Sequence, residues 1–136
     1  MAAPAFREPS RAIFAERDLR SFIGSKHLNE SVRGLRISSE YTVSPNVEKA
    51  VAMLSEINSW IDEIPPIQQP MRFGNKAYRT FYDRVTERSK ALHEQLLPED
   101  VHGAIVELMA YFNESFGNRV RIDYGTGHET SFIVWL

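Results

Sequence analysis

No cysteine occurs among the 136 residues, so disulfides, thiol nucleophiles and cysteine-ligated metals are excluded. An excess of one charge sign is also missing, since 16 Lys+Arg against 18 Asp+Glu leave a formal net charge of −2. That balance offers neither a basic surface for nucleic acid nor an acidic tail, and no nucleic-acid partner is expected. Long apolar runs are absent as well. A membrane span requires roughly 18 consecutive apolar residues, and no stretch approaches that. The opening "MAAPAFREPSRAIF" lacks the apolar segment of a secretory signal, and Arg7 and Glu8 argue against cleavage. These absences make a soluble intracellular protein the expectation, cytoplasmic with the nucleus also open, and with no membrane partner. The length suits one domain around one core.

What is present is mostly helical in pattern. "SRAIFAERDLRSFIGSKHLNES" spaces Ile13, Phe14, Leu19, Phe22, Ile23 and Leu28 compatibly with one or two helices. Gly34 ends that region, and Leu35–Ser44 reads as a linker with weak strand character. The clearest helix is "SPNVEKAVAMLSEINSWIDEIPP", with Ser44 as N-cap and Pro45 at the first helical position. Its predicted buried stripe is Val47, Val51, Leu54, Ile57 or Asn58, and Ile61, and Pro65 and Pro66 stop it. Ala77, Phe81, Val85 and Leu92 mark a second helix, with Arg84, Glu87, Arg88 and Lys90 outward. After Pro98 a third carries Val101, Ile105, Leu108, Tyr111 or Phe112, and Phe116, closed by Gly117 in a left-handed conformation. With no hairpin signal and no repeat, the fold class is all-α. The end, "ETSFIVWL", is either an apolar tail tucked into the core or the edge of a truncated piece, and exposed Phe132, Ile133, Trp135 and Leu136 would favour self-association.

Two stretches invite chemistry. In "RIDYGTGHE" (121–129), Thr126 followed by Glu129 fits a capping box, and Gly125 and Gly127 permit positive φ and close approach of a partner. A helix N-terminus attracts anions, and Arg121 could add a bidentate grip on phosphate. It is neither a Walker A loop nor G-x-G-x-x-G, so an ordinary cap and an anion cradle both remain open. In "RFGNKAYRT" (72–80), Arg72, Lys76 and Arg79 stand among Phe73, Tyr78 and Phe81. That mix suits an anion or a peptide carbonyl, or simply an amphipathic helix start with Gly74 and Asn75 in a turn. Asp62 and Glu63 beside Trp60 point to different sides of a helix, which disfavours paired acid–base work. His27, His93, His102 and His128 form no metal-ligand pair, and Asp123 near His128 lacks a nucleophile to complete a triad. No metal site and no hydrolytic centre are expected.

The blocks "WIDEIPPIQQPMRFGNKAYRTFYDR" and "NRVRIDYGTGHETSF", with "FIGSKHLNESVRG" and "YTVSPNVEKAVAMLSEINSW" around them, resemble the phosphotyrosyl phosphatase activator family. Its members are activators of serine/threonine protein phosphatase 2A. The resemblance runs from about Phe14 to the last residue, with the long motifs in order. It implies an all-helical fold of core, linker and lid portions, ATP and magnesium binding, activation of the phosphatase, and peptidyl-prolyl cis-trans isomerase activity. The catalytic and scaffold subunits of the phosphatase and a proline-containing peptide are the implied partners. In the family the glycine block contacts the nucleotide, so Arg121, Thr126 and Gly127 are the implied ATP-binding residues. Arg72, Phe73, Tyr78, Arg79 and Phe81 are the candidates for peptide or partner contact. The specific catalytic residues stay unassigned.

Family members continue well over a hundred residues past Leu136, so residues 1–136 resemble the N-terminal part of a single activator domain. The magnesium carboxylates and the remaining nucleotide contacts are expected in the absent half. The alternative expectation is a non-catalytic, truncated helical fragment that serves only as a protein-interaction module.

Overall fold

The computed structural model describes residues 5–10, 12, 14–23, 43–68, 70 and 74–136. These fall into two compact units, one formed by residues 1–7 with 43–136 and the other by residues 8–42. The smaller unit carries helix α1 (Glu16–Ile23). The Asp18 carboxylate accepts the backbone N–H groups of Phe14 and Ala15 at 3.1 and 3.0 Å, satisfying donors at the helix start. Arg20 pairs with Glu16 one turn earlier. The predicted linker at 35–42, Gly34 and His27 lie outside the described residues.

The larger unit is built from α2 (Pro45–Glu63), α3 (Ala77–Leu96), a 3-10 turn (Glu99–Ala104), α4 (Ile105–Glu114) and α5 (Thr126–Trp135). Successive helices pack on one another: α2 on α3, α3 on α4 and α4 on α5. Among the described residues the only β pairing is a single antiparallel bridge between Asn118 and Asp123. The all-α expectation holds.

The helix boundaries follow local chemistry. Ser44 caps α2 by accepting the Val47 N–H at 3.4 Å, and Pro45 sits at the start where its missing donor costs nothing. The helix ends at Glu63, ahead of Pro65 and Pro66. Asn75 then ties the connection to the next helix. Its amide oxygen accepts the N–H groups of Ile67 and Ala77 at 3.1 and 2.9 Å, and its amide nitrogen donates to Ile67 C=O at 2.9 Å. After Leu97, Pro98 breaks the helical run, and His102 donates to the Leu97 carbonyl at 3.0 Å. Gly117 closes the segment after α4 with φ of 110°, the left-handed region predicted for it. A Cβ there would lie 2.6 Å from the Tyr78 hydroxyl and 2.8 Å from the Asp123 carbonyl oxygen, so no other residue fits.

The core gathers Met53, Ile57 and Trp60 of α2, Val85 and Leu92 of α3, Phe112 of α4 and Trp135 of α5. The predicted α2 stripe is rotated from this. Ile57 is buried and Leu54 packs at the core edge, but Val51 and Ile61 are 56% and 54% exposed. Both settings satisfy a 3.6-residue period. The observed one buries the larger Trp60 and Met53, and with them more apolar area. The α3 stripe matches expectation at Ala77, Phe81, Val85 and Leu92, with Ser89 and His93 added to the buried face. In the third helical segment Phe112, not Tyr111, faces inward.

The C-terminal run is tucked into the core, as the first of its two readings has it. It forms the last turns of α5, where Trp135 is only 7% exposed and Phe132 packs against the core. Trp135 stands over Phe112 with ring centroids 4.9 Å apart, and its indole N–H donates to His93 Nε2 at 2.8 Å. That bond fixes the tautomer: His93 Nδ1 carries the proton and donates to the Ser89 carbonyl at 2.7 Å. Ile133 and Leu136 remain exposed, as expected, together with Val134.

Candidate functional site

The segment from Gly117 to Gly125 leaves α4 and re-enters helix at Thr126. Its turn is organised by Asn118. The side-chain oxygen accepts the N–H groups of Val120 and Arg121 at 3.0 and 2.9 Å, and the backbone pairs with Asp123 O and Ile122 N at 3.0 and 2.8 Å. The left-handed residue here is Ile122, with φ of 54°. A β-branched residue in that region is strained by about 1–3 kcal/mol, so the surroundings must hold it.

The two glycines of the loop therefore do something other than predicted. Neither adopts positive φ. Gly125 is extended at φ −162° and is itself the N-cap of α5, so Thr126 opens the helix instead of capping it. No side chain caps this end, and the predicted Thr126–Glu129 capping box does not form. The Thr126 C=O instead accepts the Thr130 hydroxyl at 2.8 Å. A Cβ added at Gly125 or Gly127 meets nothing within 4 Å. Packing among the described residues does not require glycine at either position. The first N–H groups of a helix lack intrahelical partners and carry the positive end of its dipole.

Arg121 stands on the same loop, 66% exposed, and pairs with Asp123 through Nε at 2.8 Å. An exposed pair of this kind is worth little and exchanges readily for a phosphate. His128 does not meet Asp123. Its Nδ1 donates to the Glu114 carbonyl at 2.6 Å, with the Glu114 carboxylate 3.5 Å away, and its ring stacks on Tyr124 with centroids 5.6 Å apart.

The described residues of the second predicted cluster, Tyr78, Arg79 and Phe81, lie against the first. Tyr78 donates its hydroxyl proton to Phe116 C=O at 2.8 Å, and burial, with Tyr82 nearby, pushes its pKa up to about 12. Arg79 donates to the carbonyls of Arg119 and Val120 at 3.3 and 3.2 Å. Phe81 packs edge-on against Phe116, with centroids 6.1 Å apart. Arg72 and Phe73 lie outside the described residues. Sequence spacing alone treats the two blocks as separate; the fold makes them neighbours. Asp83 was not singled out, yet it holds Arg119 at 2.7 Å, and that partner keeps its carboxyl below the usual carboxylate range.

Beside the loop opens a cleft of about 400 Å³, lined by Leu54, Phe116, Tyr124, Phe132 and Ile133, with Ser115 and Glu129 as its polar members. Among the described residues no three His, Asp or Glu side chains gather as a metal site, and no helix is long and apolar enough to cross a membrane. On α2 and α3, Glu63 pairs with Arg84, whose guanidinium lies 5.8 Å from the Trp60 ring, while Asp62 is exposed.

Comparison with known proteins places this geometry. A profile described as "Phosphotyrosyl phosphate activator (PTPA) protein" matches residues 9–136. The chain belongs to this family. It is 39% identical over 140 residues to the probable serine/threonine-protein phosphatase 2A activator 1 of Dictyostelium discoideum, covering 96% of this chain and 43% of that protein. It is 42% identical over 108 residues to the serine/threonine-protein phosphatase 2A activator of Drosophila melanogaster, covering 79% of this chain and 27% of that one. The crystal structure of the PP2A phosphatase activator Ypa1 PTPA1 superposes with a TM-score of 0.77 at 30% identity, over 95% of this chain and 45% of its own. The helical arrangement is thus that of the family, and the PTPA chain described here spans less than half the length of these relatives.

Proposed function

We propose that this PTPA-family chain contributes the nucleotide-loop half of an activator of serine/threonine protein phosphatase 2A. The catalytic and scaffold subunits of the phosphatase are its partners, in the cytoplasm and with access to the nucleus. The observation that carries the nucleotide part is the uncapped start of α5, where a Cβ at either glycine would meet no described residue within 4 Å. The residues present fit an ATP phosphate. Thr126 and Gly127 offer backbone N–H groups at the positive end of a helix dipole, and Arg121 supplies an exposed guanidinium on the same loop. Magnesium bound with ATP would neutralise phosphate charge, and its carboxylate ligands are expected from the part of the family fold beyond these residues.

The isomerase activity needs no acid or base. Rotation about an X–Pro amide meets a barrier of about 18–20 kcal/mol, which falls when a site binds the twisted amide better than the planar one. Tyr78, Arg79 and Phe81 are engaged with the chain's own loop and core. The apolar cleft beside the loop is therefore the better-suited surface for a proline-containing peptide. Leu54, Phe116, Phe132 and Ile133 would strip water from the amide, while the exposed Tyr124 hydroxyl stands available as a donor.

The test compares the 136-residue chain with a chimera that appends the remaining length of the Dictyostelium relative. ATP binding by calorimetry and reactivation of inactive phosphatase are measured on both. Activity in the chimera that Arg121→Ala weakens about tenfold at the nucleotide step, with helicity intact by circular dichroism, is the expected result. Unchanged nucleotide affinity in that variant removes Arg121 from the site. A chimera that binds ATP but never reactivates the phosphatase leaves the chain as an interaction module, a reading that the exposed Ile133, Val134 and Leu136 favour.

A further inference from the structure

Residues 119–121, 123 and 124 are exposed, so almost no apolar burial fixes the shape of the loop before α5. That shape is nevertheless demanding. It holds Ile122 in a left-handed conformation and Gly117 at φ of 110°. Something outside the loop must over-determine it.

The holding groups come from one face of α3 and the turn before it. Arg79 and Asp83, four residues apart and hence on the same side of the helix, both reach the loop. Both Asp83 carboxylate oxygens take the guanidinium of Arg119 in an exposed, bidentate ion pair, which ties one side chain to another. Arg79 does something different: it spreads its fork over two successive backbone carbonyls, Arg119 C=O and Val120 C=O, some forty residues away in sequence. Charge-assisted bonds to main-chain oxygens fix backbone position directly, which a side-chain ion pair does not. Below the loop, Gly74 lies so close to Ile122 that a Cβ would sit 2.6 Å from the Ile122 carbonyl oxygen and collide with its side chain.

We infer that Arg79 is a positioning residue of the glycine loop. By clamping the carbonyls of Arg119 and Val120, it sets the backbone course through Ile122 to Gly125 and so the aim of the Thr126 and Gly127 amides, without contacting the ligand itself. The inference rests on the nucleotide reading above for its functional consequence, but its structural half stands on the hydrogen bonds alone. Residues 74–80 then serve as the brace of "RIDYGTGHE", and the two are one structural unit.

The test uses the 136-residue chain. Amide hydrogen exchange over residues 118–128 and over the α3 core positions Val85 and Leu92 is followed in wild type, Arg79→Ala, Arg79→Lys and the control Arg88→Ala, whose side chain pairs with Glu56 on α2. Titration with magnesium–ATP runs in parallel. Loss of two charge-assisted bonds to exposed main-chain carbonyls predicts up to about tenfold faster exchange in the loop of Arg79→Ala, unchanged exchange at Val85 and Leu92, and up to about tenfold weaker ATP binding. Arg79→Lys, which reaches one carbonyl, recovers part of both effects together, and Arg88→Ala alters neither. Unchanged loop exchange in Arg79→Ala overturns the inference. So does Arg79→Lys that restores ATP affinity without restoring loop protection, because the side chain would then be acting on the ligand as a charge. Faster loop exchange with unaltered ATP affinity also overturns it. If the 136-residue wild type binds no ATP, the affinity arm is read on the chimera; if the chimera also binds none, the nucleotide reading fails, and the loop exchange alone decides whether Arg79 is the brace.

Discussion

At Gly127 a Cβ would meet nothing within 4 Å, and the backbone lies outside the left-handed region that would require glycine. Alanine at such a position restricts the unfolded chain and favours helix, so Gly127→Ala should stabilise the fold by about 0.4–1 kcal/mol. The added methyl stands where a phosphate would approach, so the same variant should bind ATP more weakly. Thermal melting and calorimetry on one protein check both signs, and a stabilised variant with full affinity would take Gly127 out of the site. The loop was legible in sequence as a glycine-flanked helix start, but its internal conformation was not. Positive φ belongs to Ile122, which no propensity argument selects, and Gly125 took the capping position, which leaves the helix start without a side-chain acceptor. Arg79 read as one of a mix suited to an anion or a peptide carbonyl, or as part of an amphipathic helix start. Only the proximity of residues 119 and 120 shows that it is committed to main-chain oxygens.

For whole elements, the boundaries were mostly readable because they depend on near neighbours: Ser44 with Pro45, Pro65 with Pro66, Pro98, and Gly117. Facing was harder. The apolar residues of α2 admit two stripes, and contact with α3 selects the one through Met53, Ile57 and Trp60. Helix α5 is apolar on several sides, and its orientation is set at its two ends by His128 against Glu114 and Trp135 against His93. Trp135→Phe should preserve most of the packing but leave His93 Nε2 buried without a donor, costing about 1–3 kcal/mol. Urea denaturation measures this. A variant as stable as wild type would show that the indole–imidazole bond adds nothing beyond ring packing.

Across the whole larger unit, that buried histidine couples stability to pH. Burial lowers the pKa of His93 below its ordinary value of 6.5, against a smaller raising effect of its bond to Ser89. The unfolded chain therefore takes up a proton below about pH 6.5 that the folded chain refuses until lower pH. Stability is full above 6.5 and declines as pH falls from there towards the lowered folded value, by at most about 1.4 kcal/mol per pH unit. Protonation also gives Nε2 a hydrogen that faces the Trp135 N–H, so the bond between them is lost. Urea midpoints between pH 7.5 and 5 should fall in wild type and flatten in His93→Gln. The depressed Asp83 carboxyl acts in a separate window, contributing above about pH 3.8 and losing its effect as pH falls below that. A flat wild-type profile between pH 7.5 and 5 would contradict a neutral His93 in the core.

The chain's own order of residues determined the helical class, the stops at its prolines, the closure at Gly117, and family membership through long motifs that survive as letters. These depend on groups within a few positions of one another, or on identity alone. Tertiary structure decided which side of α2 is buried, that the final tryptophan is core and not a loose end, and that the block at 74–79 braces the loop at 117–125. Each of those turns on which helix lies opposite, and side chains some forty residues apart in the chain meet only when the packing of α3, α4 and α5 brings them within hydrogen-bond reach.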